Sequence, residues 1–427
     1  MNTFTKTTRM RKMAVLALLA SPVTAALATD GYFSHGYGMK AKGMGGASVA
    51  MTDNAFAGAN NPASAAWAGD RVEVGLDVFM PERSMERSGG PIDATVKSDS
   101  TSFLIPEIGY NKKFSEQMGG GVAVYGNGGM NTDYAGGQIN CGAGSANVLC
   151  GSGRLGVDLQ QLIIAPTIAY KLGENSSIGV SPLLVQQIFK ADGLQGFDNP
   201  MMTNAPGKVT NHGYDSSSGV GVRIGYFGKV NALLSVGASY APKISMGKFS
   251  NYAGLFAGDG SFDIPENYAI GLAYQASSDV TVAVDYEHIA YGGVASISNP
   301  STNMAALGSA TGRGFGWSDI DVWKVGVQWM ATPRLLLRGG VNVSDNPVKS
   351  RDVTFNILAP GVITTQYTLG GTYALSNTAD VTVSYLYAPS NSVTGSSLYN
   401  QLGMPGTGNE TVKMNQQSVG LQLGWHW

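Results

Sequence analysis

Charge is scarce in this chain: Asp, Glu, Lys and Arg make up 13% of its 427 residues, against roughly a quarter in a typical soluble domain. Cysteine occurs twice and histidine four times. Past residue 28 no apolar run approaches the roughly 20 residues that a membrane helix requires. His35, His212, His288 and His426 are scattered, so no metal site is expected. There is no P-loop, no G-x-S-x-G elbow and no H-E-x-x-H helix. Gly151-Ser152-Gly153-Arg154-Leu155-Gly156 matches G-x-G-x-x-G, but it leads into a strand rather than a strand-to-helix turn, which defeats a dinucleotide reading. In Asp285-Tyr286-Glu287-His288, period two puts the histidine on the face opposite both acids, against a catalytic cluster. The expectation is a protein that is not an enzyme and needs no cofactor.

What is present begins with a leader. Lys6, Arg9, Arg11 and Lys12 precede a short apolar run at 13–20, then Ala26-Leu27-Ala28. Charged region, apolar region and A-x-A site are the anatomy of a secretory signal peptide, predicted to span 1–28. Its removal leaves 23 basic against 29 acidic residues, a net charge near −6 with no nucleic-acid footprint. Cys141 and Cys150 bracket a Gly-rich octapeptide. In an exported chain with no His or third Cys nearby, the pair reads as a loop-stapling disulfide.

The most regular stretch is the last one. Val419, Leu421, Leu423, Trp425 and Trp427 alternate with Ser418, Gly420, Gln422, Gly424 and His426, a strand with one greasy face and one small or polar face. The same alternation recurs at 72–80, 220–226, 234–240, 268–274, 280–286, 323–329, 335–343 and 381–387. Strands are predicted to start near 71, 101, 119, 156, 176, 215, 232, 266, 279, 319, 334, 363, 379 and 415, about fourteen in all. Short connections alternate with long ones, and aromatics gather at strand ends. Together these features predict an all-β, antiparallel transmembrane barrel over 71–427, with short periplasmic turns and long outer loops. A soluble sandwich or propeller predicts neither the alternating loop lengths nor the terminal aromatic strand. Outer-membrane lipid is the expected partner of the greasy face, and the aromatic terminus a mark for the barrel assembly machinery. A monomer is expected.

Residues 29–70 lack period-two order and are rich in Gly, Ala, Asn and Met, which suits a compact plug, because small residues permit close backbone packing. Asn61-Pro62 reads as a turn. In family order and spacing, Phe33-Ser34, Gly36, Gly38, Gly43, Gly45-Gly46-Ala47, Ala50, Asp53, Asn54-Ala55 and Asn61-Pro62-Ala63 resemble the N-terminal hatch of the outer-membrane long-chain fatty-acid and toluene transporter family. This chain departs from that pattern at Asp53-Asn54, where two acids are expected, and at Asp30-Gly31-Tyr32 before Phe33. The resemblance implies a hatch-plugged barrel that takes up hydrophobic molecules. Ligand would be captured at outer loops, pass to a pocket beside the hatch, and leave through a wall opening made by a kink in the third strand.

That kink is expected at Tyr125-Gly126-Asn127-Gly128-Gly129, because glycines inside a strand mark bulges and close backbone approach. Apolar loop residues Phe197, Met201, Met202, Phe249, Tyr252, Leu255 and Phe256 are the candidates for capture on a water-facing patch. Arg223, Lys324 and Arg338 face the lumen by parity and are candidates for holding a ligand carboxylate; Glu73, Asp77, Asp285 and Glu287 face it too. Fatty acid and small aromatic hydrocarbon both remain open as cargo. A general water-filled porin and a surface adhesin are the readings from other classes.

Overall fold

The computed structural model describes residues 30–142, 144–404 and 406–427; the predicted leader lies outside them. Fourteen strands form one antiparallel sheet that closes on itself. They are β1 (Arg71–Ser88), β2 (Phe103–Lys113), β3 (Met118–Tyr134), β4 (Leu155–Lys171) and β5 (Ser176–Asp192). Then come β6 (Asp215–Lys229), β7 (Leu234–Ala241), β8 (Asn267–Gln275), β9 (Val280–Ile289) and β10 (Ile320–Thr332). The last four are β11 (Leu335–Ser344), β12 (Thr365–Ser376), β13 (Ala379–Ser396) and β14 (Asn409–His426). Each strand pairs with its neighbour in the chain, and β14 closes on β1 from Arg71 opposite His426 to Ser88 opposite Asn409.

Alternation explains which face each residue takes. On β14, Val419, Leu421, Leu423 and Trp425 are exposed on the outside, while Ser418 and Gln422 are buried. Outward aromatics gather in two bands, with Trp329, Tyr373 and Trp425 toward the short turns and Tyr385, Tyr387 and Trp323 toward the long connections. These are the girdles that amphipathic rings form at the two membrane interfaces. Several strands run further outward than their alternation indicates. β1 continues to Ser88, and β14 begins at Asn409 rather than near 415. The outward residues there, such as Glu82 and Glu86 on β1 and Lys413 on β14, are polar and exposed, so the greasy period of two stops short of the strand ends.

Residues 30–70 fill the interior. Every residue from 30 to 50 is buried. The segment holds two short helices, α1 (Met39–Lys42) and the 3-10 turn Pro62–Ala66. Asn61 starts the second: its Oδ1 accepts from Ala63 N, and its Nδ2 donates to the carbonyls of Val49 and Tyr226. An Asn cap followed by Pro at the first helical position suits a helix start. Close approach needs glycine on the wall. A Cβ at Gly237 would lie 2.2 Å from the Val49 carbonyl oxygen, and one at Gly340 2.2 Å from the Met44 carbonyl carbon.

Ion pairs fix the segment to the wall at several points. Lys42 Nζ bridges Asp77 at 2.9 Å and Glu107 at 2.7 Å, Lys40 pairs with Glu73 at 2.7 Å, and Arg338 with Asp53 at 3.2 Å. Buried pairs add little net stability, because desolvation offsets attraction, but removing one partner is costly. Their contribution here is one defined seat for the segment.

The lipid face supplies a direct check. Leu421→Arg should destabilise the barrel by about 2–4 kcal/mol, the cost of a cation near the bilayer midplane, whereas Gln417→Arg toward the rim should cost under about 1 kcal/mol. Urea unfolding in lipid vesicles measures both, and equal costs would displace the membrane from this belt.

Candidate functional site

The pairing between β2 and β3 stops well short of the outer end of β3. Their ladder runs only from Lys113 opposite Gly119 to Ile108 opposite Val124. Above it, β2 stays paired with β1 through Phe103 opposite Phe79, and β3 stays paired with β4 up to Tyr134 opposite Leu155. Contact across the gap resumes at the bridge between Ser98 and Tyr134, where Arg154 also joins Asp99 and Asp133. The cause lies in the glycine run. Gly126 faces Leu162 and Gly128 faces Gln161, so Asn127 is an extra, bulged residue, and a bulge bends its strand.

The backbone freed by the bend is taken up by the N-terminal segment. Ser34 N donates to the Asn127 carbonyl, Gly129 N to the Tyr32 carbonyl, and Phe33 forms a β-bridge with Gly128. Glycine is required at 128, since a Cβ there would sit 2.0 Å from the Tyr32 carbonyl oxygen. Gly36 also lies close to another stretch of the same segment, its Cβ position 2.9 Å from Gly46 Cα. Gly38 N donates to Glu107, and Gly45 N to Thr368 Oγ1.

Two narrow apolar pockets lie among the outer loops and above the N-terminal segment. The outer one is lined by Phe189, Phe197, Leu255, Phe256, Phe315 and Phe355, with Arg313 and Leu358. The inner one is lined by Tyr32, Phe79, Arg83, Met130 and Asn131, with Ala359–Gly361 as part of its wall.

The loop residues singled out by sequence are therefore mostly interior, which corrects the expectation of a water-facing patch. Phe197, Leu255 and Phe256 line the outer cavity. Phe249 and Tyr252 are fully buried behind it, packed on Phe189. Met202 is partly buried, and only Met201 is freely exposed, at 90%. The long loops fold over the barrel mouth, so their greasy side chains turn inward onto one another. Cys141 and Cys150 are joined by a disulfide within these loops.

The lumen-facing cations lie elsewhere. Arg338 is engaged by Asp53, and Lys324 by Glu287 at 2.6 Å and Asp30 at 3.8 Å. Arg223 bonds Asn267 and borders a third, polar cavity that it shares with Lys324, Asp285 and Glu287. None of the three lines the outer or inner apolar cavity. Sequence reading passed over the two arginines that do. Arg313 lies in a loop with no periodicity. Arg83 has the inward parity of Asp77 but sits beyond the recognisable end of the first strand. His288 turns outward, as parity requires, and bonds Asp321 at 2.7 Å.

The family model described as "Outer membrane protein transport protein (OMPP1/FadL/TodX)" matches residues 17–424. The chain belongs to this family. It is a β-barrel of the bacterial outer membrane, in a family that transports hydrophobic compounds. Among solved structures, the P. putida toluene transporter TodX is similar at 19% identity and a TM-score of 0.68, covering 92% of this chain and 99% of that one. A Pseudomonas aeruginosa FadL homologue is similar at 13% identity and 0.66, with the same coverage. The Ralstonia pickettii toluene transporter TbuX gives 16% and 0.63, again over 92% and 99%. These likenesses establish the fold. No curated protein matches the chain by sequence.

Within the family's barrel, the seat of the N-terminal segment carries an unusual acid. Asp30 is fully buried, accepts from Asn342 and Gln366, and faces both Lys324 and Glu287. Burial pushes its pKa up to about 6, against the pull of Lys324. His35, also fully buried, is pushed down to about 3 and stays neutral. Asp53, which is half-buried, differs: against partial desolvation, Arg338, Lys40 and Arg71 hold it below the usual carboxylate range. The seated form binds the Asp30 proton more tightly than the free carboxyl, whose ordinary value is 3.8. Taken alone, Asp30 favours seating as pH falls through 6, with its limit below 3.8; His35 opposes it, because the free imidazole takes up a proton near 6.5 and the seated one does so only near 3. For Asp30, linkage gives about a tenfold gain between roughly pH 7.5 and pH 5. Between pH 7.5 and pH 5, limited proteolysis within residues 30–37 should quicken in Asp30→Asn, which leaves His35 to dominate, and slow in His35→Asn, which leaves the buried acids.

Proposed function

We propose that the protein takes up long-chain fatty acids, with residues 30–70 acting as a hatch and the β2–β3 gap as the exit. In this reading, cargo enters beneath the outer loops, where Phe197, Leu255 and Phe256 hold its chain. It then passes inward when the hatch shifts spontaneously, and leaves sideways into the membrane past Gly126, Asn127, Gly128 and Gly129. No energy source is invoked, because an apolar solute moves down its own gradient from loop cavity to lipid.

The observation that carries the choice of acid is Arg313. It is 7% exposed in an otherwise apolar cavity. Its Nη1 donates to the Ser301 carbonyl at 3.1 Å, and among the described residues no carboxylate lies within 4.0 Å. Burial lowers its pKa, and a desolvated guanidinium with no counter-ion is costly. A fatty-acid carboxylate supplies the missing partner through paired, charge-assisted hydrogen bonds.

Uptake of small aromatic hydrocarbons by the same route is the second reading. It is favoured by the rings of Phe189, Phe197, Phe256, Phe315 and Phe355 around the cavity, which suit aromatic packing, and by toluene being the cargo named for TodX and TbuX. A general porin fits poorly with a lumen filled by residues 30–70.

Binding separates the cargos. Arg313→Met should weaken oleate binding at least about tenfold, the value of a lost charge-assisted bond, and leave toluene binding unchanged. An equal effect on both, or none on oleate, would remove the acid reading. The exit has its own test. Deleting Asn127 removes the bulge and lets β2 and β3 pair further, so uptake should collapse while the heat-resistant barrel persists; normal uptake would refute a lateral exit there.

A further inference from the structure

Beyond the stretch where β2 and β3 part, the two sides meet again toward the outside. Ser98 and Tyr134 form an antiparallel bridge, Asp99 N donates to the Asp133 carbonyl at 2.8 Å, and Asp133 N donates to Ser98 Oγ at 3.0 Å. The unpaired stretch is therefore framed, with Ile108 opposite Val124 below, this tie above and the N-terminal segment behind. One bridge is little backbone pairing for such a place, and two arginines reinforce it. Outside, Arg154 donates from Nε to Asp133 Oδ1 at 2.6 Å and from Nη2 to Asp99 Oδ2 and the Asp133 carbonyl. Inside, Arg83 donates from Nη2 to Ser98 Oγ and the Ser100 carbonyl, and its own carbonyl accepts from Ser98 N.

Both sides of the tie are also anchored from behind. Tyr134 donates to the Ile357 carbonyl at 2.9 Å and Thr132 to the Leu358 carbonyl at 2.8 Å, which fixes the outer half of β3 to the connection between β11 and β12. On the other side, Ala94–Lys97 pairs along the outer end of β1. Height decides what the tie faces. Leu104 is the last greasy outward residue on β2, and on β1 outward Met80 is followed by Glu82. The side chains of Arg154, Asp99 and Asp133 are 48%, 60% and 45% exposed. The tie thus lies where the lipid face gives way to head groups and water, with the frame just beneath it. Exposed ion pairs are usually worth under about 1 kcal/mol, but a forked guanidinium shared by two carboxylates is the geometry in which they count.

We propose that Arg154 is a specificity-determining residue for the exit: by holding the tie shut, it lets free cargo out and keeps the lipids of the surrounding leaflet from coming in. The inference rests on the lateral exit proposed above. A membrane lipid keeps its polar head at the interface, because drawing it into an apolar lumen is costly. Under a closed tie, its tail must bend beneath the frame to enter. With the tie open, the frame becomes a slot, and the tail swings in while the head stays outside. Cargo arriving from the loops passes whole, so the tie matters little to it.

The test is competition against oleate bound to the purified protein in lipid vesicles. The competitor is 1-oleoyl-lysophosphatidylethanolamine, which has the same tail and a head too polar to follow it. Arg154→Asp puts three carboxylates together and should open the tie. The lysolipid should then displace oleate at least about tenfold more readily than from the wild type, within the range of couplings in charge networks. Oleate affinity alone should stay within about twofold, as for a surface substitution. Combining Arg154→Asp with Asp133→Arg again sets one cation between two acids and should return the wild-type resistance. Unchanged competition in Arg154→Asp overturns the proposal, as does a charge swap that restores nothing, or oleate binding that weakens without any lysolipid. Deleting Asn127 in the Arg154→Asp protein should close the frame and abolish the competition; competition that survives means the lipid enters elsewhere and also overturns it. Should Arg154→Asp fail to form a heat-resistant barrel, Arg154→Met decides, and wild-type resistance there overturns the proposal. Normal oleate uptake in the Asn127 deletion alone sinks the lateral exit itself, a result distinct from any behaviour of the Arg154 variants.

Discussion

In hydrocarbon, each unpaired backbone N–H or carbonyl costs several kcal/mol, so a chain that crosses with strands must close its sheet. The sheet closes, β14 on β1. At the β2–β3 junction the ladder is cut short and another part of the chain takes over its partners. A bulge at Asn127 turns β3 inward, and the N-terminal segment supplies Ser34 N and the Tyr32 carbonyl as substitute partners. The segment is thus part of the wall's hydrogen bonding as well as a filling for the lumen. Anything that moves Tyr32 and Phe33 leaves the bend unsupported.

Charge follows a related rule. A barrel interior this full has little water to solvate ions, so inward cations are matched with acids, and the matches tie the N-terminal segment to strands around the ring: Glu73 and Asp77 on β1, Glu107 on β2, Arg338 on β11. Three buried arginines depart from the rule: Arg223, which bonds Asn267 beside the polar cavity, and Arg83 and Arg313, which lie in apolar ones. The lumen is divided accordingly. Polar groups and the third cavity lie beside β6 to β10, and the greasy passage lies above the segment, toward β1 and β3.

Much of this architecture was legible in the order of residues. Strand starts at 71, 176, 215 and 379 coincide with those observed, because alternation against lipid leaves a strong period of two. The glycine run at 126–129 marked the bend, since only glycine allows another backbone so close. What alternation could not mark was β1 beyond Met80, where the outer face leaves the bilayer and carries Glu82 and Glu86 rather than apolar residues. Arg83 was hidden by that loss of signal rather than by any irregularity of its own. The loop residues Phe249 and Tyr252 were correctly picked out as apolar and misjudged as exposed, because a loop's sequence does not say which way it folds over the barrel mouth.

The sequence by itself determined the class of fold and its membrane, since both follow from local rules: which face of each strand is greasy, which connections are short, and where small residues replace large ones. Tertiary structure alone decided which charges are spoken for. Lys324, Arg338, Arg83 and Arg313 look alike in a linear chain. Whether each has a carboxylate beside it depends on residues far away in the chain, and on the water excluded when the loops and the N-terminal segment close over them.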